Sequence, residues 1–382
     1  MTTSHDLVGS KASLRDDRLA RVVIARQDEQ TLELREIALP APRHHQVVVE
    51  LIATGVCHSQ LQQLRRPHET PIILGHEGAG TVIEAGSAVS DLTAGDAVLV
   101  TWIPRDGSAS RLAEPARLEL EDGAIAEAQN GVFTWADTTI VDEQYVVKIP
   151  SAALVPESCI VACAVMTGAG AVRNTAGVRA GESAAVFGVG GVGLSAVAAA
   201  RIVGAEPIIA VDLSDEKLDL AKRFGATEVI NASREDPVER ILALTRHPTH
   251  VSYSGDPTAG VDFAFDCIGL QATMSQAVAC ARRGVFGARR GGTAVLVGAP
   301  ESPLNLDVRD VLVNEKRFLG TLGGSAQPAR DFRIYAEWIA DGDLELDALV
   351  SDRFALDEVQ EALARLERGE ITGRAILLTG TQ

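Results

Sequence analysis

One stretch limits what this chain can fold into more than any other. It runs Ala184-Ala185-Val186-Phe187-Gly188-Val189-Gly190-Gly191-Val192-Gly193-Leu194, with an alanine- and valine-rich run behind it. An apolar run enters a glycine cluster, and a helix-forming pattern leaves it. Gly188, Gly190 and Gly193 fall at G-x-G-x-x-G spacing, where each glycine has a task. The first permits a tight turn, the second lets backbone approach a pyrophosphate, and the third lets the helix pack closely on the strand. The helix start turns N–H groups and the positive end of its dipole toward phosphates. A second apolar run, Pro207-Ile208-Ile209-Ala210-Val211, ends at Asp212. That acid comes roughly 20 residues later, where a carboxylate binds adenosine ribose hydroxyls. An acid there also repels a 2′-phosphate, which favours NAD over NADP. Strand–turn–helix context on both sides outweighs the alternative of a glycine-rich turn beside an unrelated surface acid.

A chain of 382 residues exceeds the size at which single cores stop growing, about 250–300 residues, so two domains are expected. Around the glycine motif, strands are predicted at Ala184–Val189, Ile208–Asp212, Glu228–Ile230, Val261–Asp266, Thr293–Val297 and Phe318–Thr321. Helical patterns fill the gaps, as in an α/β doubly wound parallel sheet. From about Leu19 to Lys148 the chain reads instead as a β-rich unit, with Gln46–Ala53 its most buried strand. Residues 105–130 turn polar and read as a surface lobe or long loop. Pro328 to Leu378 gives two helical patterns and a last strand, Ala375–Leu378, expected to return to the first unit. Met1 to Asp17 reads as a loose tail.

A net charge of −17 makes nucleic acid or an anionic membrane a poor partner. No apolar run is long enough to span a bilayer, and the N-terminus has no signal-peptide core. The five cysteines, Cys57, Cys159, Cys163, Cys267 and Cys280, are odd in number, which suggests reduced thiols in a cytoplasm.

The buried strand delivers Gly55-Val56-Cys57-His58-Ser59. Further on come Gly75-His76-Glu77-Gly78-Ala79-Gly80 and, later still, Cys163 in a helical pattern. Two thiolates and an imidazole suit zinc, and three protein ligands leave a fourth position open for chemistry. The residues alone do not choose between that trio and buried structural thiols beside a surface histidine.

Taken together, those two motifs, Gly95-Asp96, Cys163-x-x-x-Thr167-Gly168, the glycine cluster and Asp212 resemble the zinc-dependent alcohol dehydrogenases. These form part of the medium-chain dehydrogenase/reductase superfamily, and the resemblance runs from about Arg18 to the C-terminus. It implies a GroES-like catalytic domain over residues 18–164 and 324–382 and a Rossmann NAD-binding domain over 165–323. It implies Cys57, His76 and Cys163 as catalytic zinc ligands, with Glu77 behind them or a transient ligand. Ser59 would hydrogen-bond the alcohol oxygen and pass its proton on. His58 and Arg374 would approach the pyrophosphate, on a turn that includes Gly191. Thr167 and Val192 would pack on the nicotinamide, and Lys217 would lie near the adenosine ribose. Trp102, Trp135 and Ala299 are expected to line the substrate pocket. The activity implied is reversible oxidation of an alcohol with hydride transfer to NAD, a primary alcohol being preferred, with allylic and aromatic ones included. Small-molecule alcohols and aldehydes are the expected partners, in a homodimer or homotetramer joined through Leu304 to Leu322.

The sequence departs from the family in two places. Many members carry four close cysteines that bind a structural zinc, and Trp102 to Gly131 has none, so one zinc per chain is expected. Gln60 occupies a position where Asp is common, and Gln62 the place of a relay histidine. A neutral Gln60 is expected to make the metal slightly more electrophilic. Two other readings remain: a zinc-independent NAD(P)H-dependent enone or quinone reductase of the same superfamily, and a non-catalytic nucleotide-binding relative.

Overall fold

The computed structural model describes residues 18–26, 32–107, 111–252, 255, 257–285, 287–300 and 302–380. The expected tail over Met1–Asp17 lies outside them. Six parallel strands form one sheet, in the order Glu228–Asn231, Ile208–Asp212, Ala184–Phe187, Phe263–Asp266, Thr293–Leu296, Arg317–Gly320. Relative to chain order this is 3-2-1-4-5-6, the doubly wound arrangement. Its strand order reverses between Ala184–Phe187 and Phe263–Asp266, and ligands bind at the carboxyl ends of such a pair. The four inner strands are almost wholly buried because helices cover both faces, whereas the outer strand Arg317–Gly320 is largely exposed. Ala184, Val186, Ile208 and Ala210 join one core, while Ala185, Phe187, Ile209 and Val211 join the other.

The rest of the chain builds two further sheets. The larger runs Val146–Lys148, Ala97–Thr101, Glu77–Ala85, Gln46–Val56, Arg374–Leu378, Val350–Ala355, and Thr138–Asp142 also pairs with Gln46–Val56. The C-terminal strand is thus inserted beside the strand that leads to Cys57. Helix Ala164–Gly170 and helix Gly191–Ile202 connect this unit to the parallel sheet. They approach closely because Gly168 has no side chain: a Cβ there would lie 2.1 Å from the Val192 carbonyl oxygen.

Of the two forms expected for residues 105–130, a surface lobe or a long loop, the structure has the lobe. It contains an antiparallel hairpin, Arg117–Glu119 and Ile125–Ala128, which extends a five-stranded sheet through Ile72–Ile73. Leu118, Leu120, Ala126 and Ala128 are buried, a two-residue alternation too short to stand out against so many charges. An ion pair fastens the lobe. Arg111 makes two hydrogen bonds to the fully buried Asp142, at 2.6 and 2.9 Å. Among the described residues no single helix is long and apolar enough to cross a membrane.

Candidate metal and nucleotide site

Register alone brings the chemistry together. Val56 pairs with Ala375, so Cys57 and Arg374 sit at matching strand ends. Gly78 pairs with Thr54 and Glu77 with Thr101, which puts Glu77 one strand over and Trp102 just beyond. His76 is reached through Gly75, whose φ of +89° and whose missing Cβ (it would lie 2.4 Å from the Trp135 nitrogen) both require glycine. Cys163 falls at the break between the 3-10 turn Pro156–Ala162 and helix Ala164–Gly170. The Thr101 hydroxyl fixes that break by donating to the Ala162 carbonyl at 2.9 Å. No motif announces Thr101; only the fold reveals its role.

The result is one cluster. Ligand atoms of Cys57, His76, Glu77 and Cys163 lie within 4.8 Å of one another, and His76 Nε2 is 3.3 Å from Cys163 Sγ. A hydrogen bond from Cys163 holds the Cys57 thiol well below its usual pKa against the effect of burial, with Arg374 and His76 assisting. Cys163 is correspondingly pushed up by that same bond and by burial. Two cysteine sulfurs and an imidazole that converge on one point form a donor set that fits zinc. Cys159 is fully buried, and burial raises its pKa; it takes no part in the cluster.

Glu77 and Arg374 form a buried ion pair beside the metal ligands. Burial raises Glu77 and Arg374 opposes it. Burial would also lower Arg374, but Cys57, Glu77 and Cys163 together raise it. The Arg374 stem runs past the glycine turn, where a Cβ on Gly191 would lie 3.1 Å from its Cδ. One side chain thus touches both halves of the site. The Ser59 hydroxyl is buried without a hydrogen-bond partner, a polar group that awaits one.

Around the glycine turn, Gly188 has a φ of +81°. A Cβ on Gly193 would lie 1.9 Å from the Gly188 carbonyl oxygen, whereas Gly190 has nothing within 4 Å of one. So Gly193 is needed for packing, and Gly190 leaves space for a ligand. Asp212 accepts the Val189 backbone N–H at 2.9 Å and those of Leu213 and Ser214 at 2.8 and 3.1 Å. Its carboxylate is therefore oriented before any nucleotide arrives. Lys217 lies in the first turn of helix Asp215–Phe224, capped by Ser214. His58 opens helix His58–Arg65 with one face exposed. The protein mass around its ring lowers its pKa, Cys57 opposes this, and Arg374, Lys217 and Arg65 reinforce it. Thr167 is buried in helix Ala164–Gly170, and Val192 is half-buried at the start of the next helix.

The three expected pocket residues separate. Trp102 is half-buried with its ring edge-on to His76, centroids 6.2 Å apart. Trp135 is fully buried in the core and donates its indole N–H to the Gly55 carbonyl at 3.0 Å. From there it braces both the Cys57 strand and the Gly75 turn; an indole needs a partner for its N–H when buried, and here the strand supplies it. Ala299 is exposed just past strand Thr293–Leu296, its carbonyl against Gly269. Gln60, singled out in the sequence for replacing the usual Asp near the metal, is fully buried between Cys57 and His76, and its hydrogen bonds to both are what the motif alone does not show.

Known proteins resemble this chain over most of its length. The model of the alcohol dehydrogenase GroES-like domain matches residues 43–151, and that of the zinc-binding dehydrogenases matches residues 191–341. The S-(hydroxymethyl)glutathione dehydrogenase of Paracoccus denitrificans is 31% identical, over 94% of this chain and 99% of that protein. Alcohol dehydrogenase class-P of Arabidopsis thaliana is 30% identical over 97% of each. Among solved structures, benzyl alcohol dehydrogenase from Acinetobacter calcoaceticus superposes with a TM-score of 0.81 at 28% identity, covering 95% of this chain and 100% of that one.

Proposed function

This chain belongs to the zinc-dependent alcohol dehydrogenases of the medium-chain dehydrogenase/reductase superfamily, and on that footing we propose an NAD-dependent enzyme that interconverts a primary alcohol and its aldehyde. The observation that carries this reading is the convergence of Cys57, His76, Glu77 and Cys163 within 4.8 Å beside an unpartnered Ser59 hydroxyl. Cys57, His76 and Cys163 would hold zinc, which supplies Lewis acidity toward an alcohol or carbonyl oxygen. NAD on the glycine turn supplies the hydride acceptor.

The chain's own residues do the rest. Ser59 Oγ accepts the hydroxyl proton of the alcohol as its own hydroxyl proton passes onward toward solvent, so the serine stays neutral throughout. The Gly188–Gly193 turn binds the pyrophosphate, while Asp212 and Lys217 bind the adenosine ribose, with His58 alongside. Thr167 and Val192 back the nicotinamide. Trp102, edge-on to His76, walls the substrate space and suits a flat allylic or aromatic alcohol; Ala299 lines the outer rim, and Trp135 supports from behind. Residues 165–323 would form the nucleotide domain and 18–164 with 324–382 the catalytic one. Trp102 to Gly131 contains no cysteine and the lobe is tied instead by the Arg111–Asp142 ion pair, which supports one zinc per chain. Five free cysteines support a cytoplasmic setting. The outermost strand of the parallel sheet, Arg317–Gly320, has an unpaired edge, and Val308, Leu312 and Leu322 near it are 74%, 77% and 74% exposed. That edge supports a homodimer or a tetramer of dimers.

The test is zinc content per chain with alcohol-dependent NAD reduction, on the parent and on Cys163→Ser. The expected result is about one zinc in the parent and loss of both metal and activity in the variant. A parent that is active without metal overturns the proposal.

A further inference from the structure

On the zinc reading above, His76 must offer Nε2 as a lone pair, and its surroundings favour the opposite. Gln60 Oε1 accepts the Cys57 backbone N–H at 2.7 Å, and Gln60 Nε2 lies 2.7 Å from His76 Nδ1. The amide is not free to choose its orientation. Gln60 is the third residue of helix His58–Arg65, reaching back to the N-cap N–H, a contact that only its oxygen can make. Its –NH2 therefore faces His76. That makes Nδ1 the acceptor and puts the proton of the neutral ring on Nε2, where it points at Cys163 Sγ, 3.3 Å away. Both ring nitrogens are satisfied, in the tautomer that cannot ligate through Nε2.

We propose that Gln60 is a positioning residue that holds the metal-free site in this self-bonded tautomer and so weakens its grip on zinc. Before His76 can ligate, its proton must move from Nε2 to Nδ1. Nδ1–H then meets the Gln60 –NH2, donor against donor. Turning the amide over transfers the conflict to the Cys57 N–H. Either way one buried donor loses its acceptor. A carboxylate in this place would accept from both, the arrangement that orients a ligating imidazole and raises its basicity. The substitution therefore acts through geometry as well as through charge.

The experiment uses the full-length chain and Gln60→Glu, which has the same length and shape. Zinc affinity is measured by competition with a chromophoric chelator, and the His76 tautomer by long-range 1H–15N NMR on the metal-free proteins. The expected result is zinc binding about 10–100-fold tighter in the variant, with His76 protonated on Nε2 in the parent and on Nδ1 in the variant. Tighter binding without a change of tautomer is a charge effect alone and overturns the proposal. So does an Nδ1–H ring in the metal-free parent, whether or not the variant folds, and so does equal or weaker zinc binding by a folded variant. If neither protein binds zinc, the zinc reading itself fails and this proposal falls with it. A parent that binds zinc with an Nδ1–H ring sinks the proposal alone.

Discussion

The Arg111–Asp142 pair offers a measurable test of what holds the lobe over residues 105–130 in place without a structural metal. Asp142 has no side-chain exposure and Arg111 has 29%. Its carboxylate also accepts the backbone N–H groups of Glu114 and Gln144, each at 2.9 Å. Removing one partner of a fully buried pair costs about 3–5 kcal/mol, whereas an exposed pair is worth about 0–1 kcal/mol. Arg111 is partly solvated, and Asp142 keeps two backbone donors after its loss, so Arg111→Ala should cost about 2 kcal/mol. For a domain of this size that corresponds to a fall of roughly 4–8 °C in Tm. The assay is urea unfolding followed by tryptophan fluorescence, run as a double-mutant cycle with Asp142→Asn. The double variant should recover part of the loss, because the buried charge is gone along with its partner. If Arg111→Ala unfolds at the parent's urea midpoint, the hairpin's apolar packing alone holds the lobe and the ionic account is wrong.

Three further outcomes follow from the same structure. Burial would raise the Asp142 carboxyl, but Arg111 and the backbone donors outweigh it and hold it low. Its stabilising effect is therefore complete above the unfolded value, about pH 3.9, and is lost as pH falls through the folded value. The gap in urea midpoint between parent and Asp142→Asn should hold above about pH 3.9 and close as pH falls below it through the folded value, and a constant gap refutes it. Asp212→Asn removes the charge and sets an –NH2 against one of the backbone N–H groups that the two carboxylate oxygens accept, so NAD affinity should fall roughly tenfold, about 1.4 kcal/mol. NADP affinity should rise, and continued exclusion of NADP would refute the assigned role. Leu322→Asp places a charge on the exposed sheet edge and should move the protein to a smaller species in light scattering.

How far the sequence reached depended on how far each signal stood above its neighbours. The inner parallel strands were legible because burial on both faces leaves uninterrupted apolar runs, such as Ile208–Val211, that polar loops set off sharply; the outer two, Glu228–Asn231 and Arg317–Gly320, are partly exposed and were legible from their place in the strand–helix alternation. The hairpin at Arg117–Glu119 and Ile125–Ala128 was not, because one or two inward residues per strand cannot outweigh Glu119, Glu121 and Asp122 beside them. Within the site, Cys57, His76 and Cys163 were found as residue types, but their convergence depends on sheet register, which no local pattern encodes. Arg374 illustrates the difference. Its motif suggested a phosphate ligand; the pairing of Ala375 with Val56 also aims it at Glu77.

That last contact explains why the site needs both halves of the molecule. A buried ion pair is a weak source of stability, since desolvating two charges offsets most of their attraction, so Glu77 and Arg374 call for another account. Each retains an unused valence: Glu77 Oε2 and Arg374 Nε are buried without partners. An acceptor left over beside two thiols and an imidazole suits a cation, and a donor left over on a side chain that runs past Gly191 suits an anion. The proposed zinc and pyrophosphate would meet those two needs from opposite sides. Filling either site then changes the charge that the pair presents to the other, so metal and nucleotide affinities should be linked through Arg374 in both directions, as any such coupling must be.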